Sequence, residues 1–253
     1  MFLNIHIFLI GKSLSMKKLL LLSFCVLLTS IFYNCNNVEK KSKLQNKYIE
    51  PTPEEINLDD YKKNIMSIKS IKIGEQVWMQ KNLNVNNFRN GDPIPHAKTF
   101  DEWKIAGENR KPAWCYYYNN EENGEKYGKL YNWYAVNDPR GLAPKGWKIP
   151  DKEDFEILVT NVISATHLKS KTGWSNSNGN GTNKSDFTSL PAGGRNSTGE
   201  FDGKGEMTRY WSNTESNNIM AWNLYLHKGI SSAAILDLPK SIGLSVRCIK
   251  DGD

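Results

Sequence analysis

The last 80 residues of the chain constrain its fold most, because their apolar residues come in short runs that turn residues interrupt. A loop rich in Gly, Asn and Ser covers residues 173–186. Short runs of strand-forming residues follow it, and strands separated by such turns usually pair in antiparallel order. We therefore predict an antiparallel sheet with strands near residues 187–192, 209–213, 221–227, 233–237 and 243–250.

Two helices are predicted before this region. Thr99 and Glu102 have the spacing of a capping box, which indicates a short helix over about residues 100–107. Asp151 begins the second helix, with acidic residues in its first turn. Helices early and strands late together favour the α+β class. The second helix has one apolar face, formed by Phe155, Leu158, Val159 and Val162.

The first 35 residues have the pattern of an export signal. A basic start at residues 16–18 precedes an apolar run of about 14 residues, 19–32. A membrane-spanning helix needs about 20 residues, so the run fits a signal peptide better. Cys35 follows it and resembles the acylated cysteine of bacterial lipoproteins, although residues 32–34 depart from the usual small residues. We predict lipidation at Cys35, with ordinary cleavage or an uncleaved anchor as alternatives and Met16 as an alternative start.

Composition divides the remainder into two parts. Residues 36–65 are rich in charge and proline, which predicts a flexible tether, whereas residues 66–253 have the composition of one globular domain. The chain has 33 basic and 27 acidic residues, and three of the basic ones precede Cys35. The exported part therefore has 30 basic and 27 acidic residues, a balance that gives no reason to expect nucleic acid as a partner.

No motif of a known enzyme chemistry is present. The histidines and cysteines lack metal-ligand spacing, and the chain has neither a Gly-x-Ser-x-Gly elbow nor a phosphate-binding loop. We therefore predict no enzyme activity, no catalytic residue and no metal site. Calcium is the one cofactor to consider, because residues 202–206 form an acidic, glycine-rich turn, but they lack the alternating acids of an EF-hand. A solvated turn is the alternative.

A series of motifs follows in order along the chain: Ile73–Leu83, Trp114–Tyr117, Tyr127–Trp133, Leu142–Pro150, Leu190–Arg195, Tyr210–Glu215 and Ser245–Asp251. Together these motifs resemble the Fibrobacter succinogenes major paralogous domain. This resemblance covers about residues 66–253, and the family occurs in exported proteins and lipoproteins. It implies a C-type-lectin-like fold, with two short helices packed on a twisted antiparallel sheet with long loops, as in the formylglycine-generating enzymes.

The resemblance also concerns the cysteines. If Cys35 is acylated, Cys115 and Cys248 are the remaining pair of the exported chain, and both lie in family motifs. The resemblance implies a disulfide between them, which an oxidising compartment permits. Two buried thiols are the alternative. The paired active-site cysteines of the formylglycine-generating enzymes have no counterpart here, so their chemistry is not expected.

A sugar-binding site is predicted around one late hairpin. Aromatic rings stack on sugars, and amides and carboxylates bind sugar hydroxyls. The motifs that calcium-dependent lectins use are not present, and strand alternation favours a core position for Trp211 over a ligand platform. The candidate ligand-binding residues are Trp211, Asn213, Glu215, Asn217, Asn218 and Asn223.

These observations predict a lipid-anchored protein of the cell envelope, in the outer membrane, facing either the periplasm or the surface. We expect a non-enzymatic binding or scaffold module whose ligand is a carbohydrate or a surface protein. A degenerate or unrecognised enzyme on a formylglycine-generating-enzyme-like fold is one alternative, and a structural envelope protein without a small ligand is the other.

Overall fold

The computed structural model describes residues 68–175 and 179–252. The predicted signal segment 1–35, the lipidation residue Cys35 and the tether 36–65 lie outside these residues. In the described part, no helix has the length and apolar character needed to cross a membrane. The strands are β1 (Ser70–Ile73), β2 (Gln76–Met79), β3 (Trp114–Cys115), β4 (Leu130–Tyr131), β5 (Trp147–Lys148), β6 (Ala192–Arg195), β7 (Phe201–Lys204), β8 (Met207–Glu215), β9 (Met220–His227), β10 (Ala234–Pro239) and β11 (Ile249–Lys250).

The helices of the described residues are short. A single 3₁₀ turn, Tyr117–Asn119, separates the first two. Side chains at Thr99 and Asp151 cap two helices with full capping boxes, whose partners are Glu102 and Asp154. The helices are α1 (Phe100–Glu108), α2 (Glu121–Tyr127), α3 (Trp133–Val136), α4 (Lys152–Val162) and α5 (Ala165–Leu168).

The strands form two sheets and a small ribbon. The first sheet has the order β1-β2-β11-β5, so the last strand of the domain lies between β2 and β5. The second has the order β10-β9-β8-β6-β7, and β3 pairs with β4 in the ribbon. All these pairs are antiparallel except β6 with β8, which is parallel. A register shift between Trp211 and Glu215 marks a bulge in β8.

Aromatic side chains fill the core on both sides of the second sheet. Helix α4 buries Phe155, Leu158 and Val162, and the Phe155 ring stacks on Trp78 of β2 with 5.8 Å between centroids. This packing explains the apolar face of α4, since burying each such side chain contributes about 1.5–3 kcal/mol. A second cluster contains Trp114, Trp133, Trp147 and Trp211.

The observed fold confirms a mixture of helices with largely antiparallel strands, and it confirms both predicted helices. The prediction of two helices on a single sheet was wrong, because the described residues contain five short helices and two sheets. Residues 187–192 are not a regular strand, since Thr188 has a left-handed φ of 54°. Residues 243–250 change partners along their length: Leu244 bridges Tyr131, Ser245 bridges Tyr210, and β11 joins the first sheet.

Candidate functional site

Two of the predicted sugar-binding residues belong to the core. Trp211 and Asn223 are paired across β8 and β9, and both are fully buried. The indole Nε1 of Trp211 donates to the carbonyl of Tyr131 at 3.0 Å, and Nδ2 of Asn223 donates to the carbonyl of Leu236 at 2.8 Å. Their assignment as ligand contacts was therefore wrong. Both side chains hold elements of the fold together instead.

The other four predicted residues are exposed near the turn between β8 and β9, and the side chains of Asn217 and Glu215 stabilise that turn. Asn217 Oδ1 accepts hydrogen bonds from the backbone N–H groups of residues 219 and 220. Glu215 accepts from the ammonium of Lys240 at 2.6 Å, and the same ammonium donates to the carbonyl of Asn218. Asn213 Oδ1 makes only a long bond, 3.4 Å, with the neighbouring Thr214 hydroxyl.

The two cysteines predicted to form a disulfide are free thiols in the structure, and the prediction is corrected accordingly. Cys115 follows Trp114 in β3, and successive side chains of a strand point to opposite faces. Trp114 lies in the same apolar cluster as Cys248, whereas Cys115 lies in the cluster around Trp103. Burial raises the pKa of each thiol to about 12.

The turn considered for calcium has no suitable ligand set. Glu206 forms an ion pair with Lys228, and Asp202 lies in strand β7. Gly203, within β7, and Gly205, in the turn to β8, have positive φ angles of 70° and 86°, which glycine adopts without strain. Across the described residues, no group of three or more His, Cys, Asp and Glu side chains is placed to hold a metal ion.

Two buried cations, Arg247 of the last motif and Lys169 at the end of α5, support the fold. Arg247 packs against the rings of Phe187 and Tyr210 and donates to Asn82 Oδ1 and to the carbonyl of Phe187. Lys169 donates to three backbone carbonyls of residues 227–230 and lines a cavity of about 360 Å³. Burial lowers the pKa of both groups. These cations are satisfied by carbonyls and rings, so the cavity beside Lys169 offers a ligand few free donors.

His96 and Lys129 are two further titratable side chains whose pKa values are lowered. The His96 ring stacks on Trp114 with 3.8 Å between centroids, and its Nε2 has no partner among the described residues. Burial, together with the charges of Lys98 and Lys129, lowers the pKa of His96 to about 4. Burial lowers the pKa of Lys129 to about 8, and its ammonium donates to Asn84. Lys129 is 2 % exposed, so this ammonium supports the fold and is out of reach of a ligand.

The best candidate site is a cavity of about 560 Å³ that we call the aromatic groove. Two of its aromatic side chains are open to solvent: Phe100 is 58 % exposed and Tyr118 is 63 % exposed. The Tyr118 ring meets that of Phe201 edge-on, with 5.2 Å between centroids. Exposed aromatic rings beside polar groups are typical of ligand sites. The lining residues are Lys98, Thr99, Phe100, Tyr118, Asn119, Glu200 and Phe201.

The groove wall at Tyr118 adopts a costly conformation. Tyr118 and Asn119 both have left-handed φ angles of 53°, a conformation that asparagine adopts readily but that a tyrosine rarely adopts. Asn119 Oδ1 is also buried without a hydrogen-bond partner in the described part of the chain. Strained backbone and unsatisfied polar atoms cost about 1–3 kcal/mol each and are concentrated at functional sites. The conformation places the Tyr118 ring at the surface, where it contributes little to the core.

Arg195 holds the groove together from below. Its guanidinium is fully buried and donates to the carbonyls of Ala97, Thr99 and Gly199 at 2.7–2.8 Å. It therefore links the segment before α1 to the turn before β7. The guanidinium carbon also lies 4.8 Å from the Trp103 ring and 4.7 Å from the Phe201 ring.

Sequence reasoning missed this groove. It treated Phe100 only as the first residue of a helix. One signal was available: three consecutive tyrosines at 116–118 cannot all face the core of an alternating strand. The contribution of residues 200–201 had no local signal, because they meet the other segments only through tertiary packing.

Residues 71–250 match the sequence model of a protein family, the Fibrobacter succinogenes major domain. The chain belongs to this family. The match includes every residue of the aromatic groove and both buried arginines. No curated protein and no solved structure matches the chain.

Proposed function

We propose that this Fibrobacter succinogenes major domain is a non-enzymatic module that binds a carbohydrate in the aromatic groove. The observation that carries the proposal is the exposed Tyr118 ring, held at the surface by a strained backbone. Together with Phe100 it offers the flat apolar faces on which pyranose rings stack. Thr99, Asn119 and Glu200 supply polar groups along the same cavity for sugar hydroxyls.

Residues 1–65 support an envelope location for this module. We propose that Cys35 carries a lipid anchor in the outer membrane and that residues 36–65 act as the tether. The buried state of Cys115 supports a non-enzymatic role, because thiol chemistry requires an accessible thiolate. The short helices, antiparallel strands and long connections support a C-type-lectin-like fold. Mass spectrometry of the membrane fraction tests the anchor: a mature chain without acyl groups on Cys35 would contradict it.

Replacement of Tyr118 tests the binding site. The full chain, purified in detergent, is screened on a glycan array, and the affinity for the best ligand is then measured by calorimetry. We expect Tyr118→Ala to weaken binding about three- to tenfold, because a stacked aromatic contact contributes about 0.5–1.5 kcal/mol. Binding should persist after calcium is chelated, since the groove has no cluster of acidic ligands.

Ile219→Ala is the matched control. Ile219 is as exposed as Tyr118, at 63 %, but lies at the turn between β8 and β9. A loss of affinity in this variant and not in Tyr118→Ala would return the site to the hairpin predicted from the sequence. Absence of glycan binding, with co-purification of an envelope protein, would instead make a surface protein the ligand.

A further inference from the structure

Two lysine side chains flank the aromatic rings of the groove. Lys98 lines the cavity directly and is exposed. The ammonium of Lys204, on β7, lies 5.2 Å from the Tyr117 ring and 6.0 Å from the Tyr118 ring, and the side chain is also exposed. Within the described part of the chain, no ion pair joins either lysine to a carboxylate. The Lys204 ammonium donates to the neutral Asn123 Oδ1 at 3.3 Å, which leaves its charge unpaired, so both positive charges can contact an acidic ligand.

The acidic residues nearby are bound to groups of their own segments. Glu102 Oε2 accepts hydrogen bonds from the backbone N–H groups of Lys98 and Thr99, within the α1 capping box. Glu200 Oε2 accepts from Asn196 Nδ2 at 3.0 Å and from the Thr198 hydroxyl, within the turn before β7. No ion pair joins Glu102 or Glu200 to either lysine in the described part of the chain. Asp202 of β7 is a further carboxylate near the Tyr117 ring, but it does not line the groove. Lys98 and Lys204 are therefore the unpaired positive charges beside the rings.

We propose that the ligand of the aromatic groove is an acidic glycan, whose carboxylate or sulfate groups contact Lys98 and Lys204 while its sugar rings lie on Phe100 and Tyr118. This inference rests on the proposed carbohydrate binding and names its chemical class. Exposed ion pairs are individually weak and are screened by salt. The two lysines together favour acidic chains over neutral ones, and salt weakens that preference. The rings contribute binding that does not depend on charge.

Matched probes test the charge directly. Calorimetry with the full chain compares oligogalacturonate with its methyl ester, which has the same sugar rings without the charge, and with a sulfated galactan fragment. We expect the methyl ester to bind about tenfold more weakly than the free acid at low salt. The difference should shrink as the salt concentration rises. Preference for the uronate or for the sulfated chain identifies which acidic group the site accepts.

Charge-removing variants locate the effect. Lys98→Gln and Lys204→Gln should each weaken oligogalacturonate binding about two- to fivefold and weaken binding of the methyl ester by less, so that the preference for the acid decreases. Lys145→Gln removes the same charge from an exposed position outside the groove and should have no effect. Equal binding of acid and ester, with both still weakened by Tyr118→Ala, would overturn the acidic class and leave carbohydrate binding standing. Failure of every glycan to bind would overturn both.

Discussion

Arg195 allows the stability of the groove to be tested independently of any ligand. In the variant Arg195→Met, the apolar side chain still packs against Trp103 and Phe201, but the three hydrogen bonds to backbone carbonyls are lost. Each carbonyl left without its donor costs about 1 kcal/mol or more, and the lost cation–ring contacts add about 1 kcal/mol. We therefore expect the free energy of unfolding to fall by about 4 kcal/mol.

The assay is urea unfolding followed by tryptophan fluorescence, since Trp103 lies against the guanidinium. Arg195→Lys should be intermediate, because one ammonium keeps the charge but cannot reach three carbonyls as the planar guanidinium does. Arg209→Met is the control: its guanidinium stacks on Tyr225 at 4.0 Å and makes a single long hydrogen bond, 3.4 Å, to Asn223. In this control the free energy of unfolding should fall by only about 1 kcal/mol.

If the free energy of unfolding falls no further in Arg195→Met than in Arg209→Met, this reasoning is refuted. Such a result would mean that water forms hydrogen bonds with the carbonyls of residues 97, 99 and 199 when the guanidinium is removed. The m-value must also stay constant across the variants, since a change would indicate an altered unfolded or native state and not a difference in stability alone.

Two further predictions concern buried titratable groups. Because burial lowers the pKa of His96 to about 4, the unfolded chain binds a proton between about pH 6.5 and 4 that the folded protein does not, so stability should fall as the pH drops through this window. His96→Phe keeps the stacking on Trp114 and should reduce the acid-induced loss of stability by about 1 kcal/mol, a figure lowered for the partial exposure of the ring. Equal acid sensitivity of both proteins in urea unfolding would contradict the argument. Cys115 and Cys248 should resist iodoacetamide in the folded protein and both react in denaturant without reductant, because their thiols are buried and free. If alkylation in denaturant requires a reductant, Cys115 and Cys248 form the disulfide that the family resemblance implied.

Local patterns predicted the elements that depend on neighbouring residues. The capping box of α1 and the apolar face of α4 are visible in the sequence, since both arise from spacings of three or four residues. The ordered motifs were also sufficient to identify the family.

The aromatic groove depends on packing between distant segments. Its walls come from residues 98–100, 118–119 and 200–201, and Arg195 joins the first wall to the last across about 100 residues of chain. Likewise, the separation of Cys115 from Cys248 follows from the face of β3 on which Cys115 lies. A sequence pattern shows that a residue is apolar or polar, but the tertiary structure decides what it contacts. For that reason Trp211, a candidate ligand platform in the sequence, is a core residue, and Tyr118 is the exposed ring.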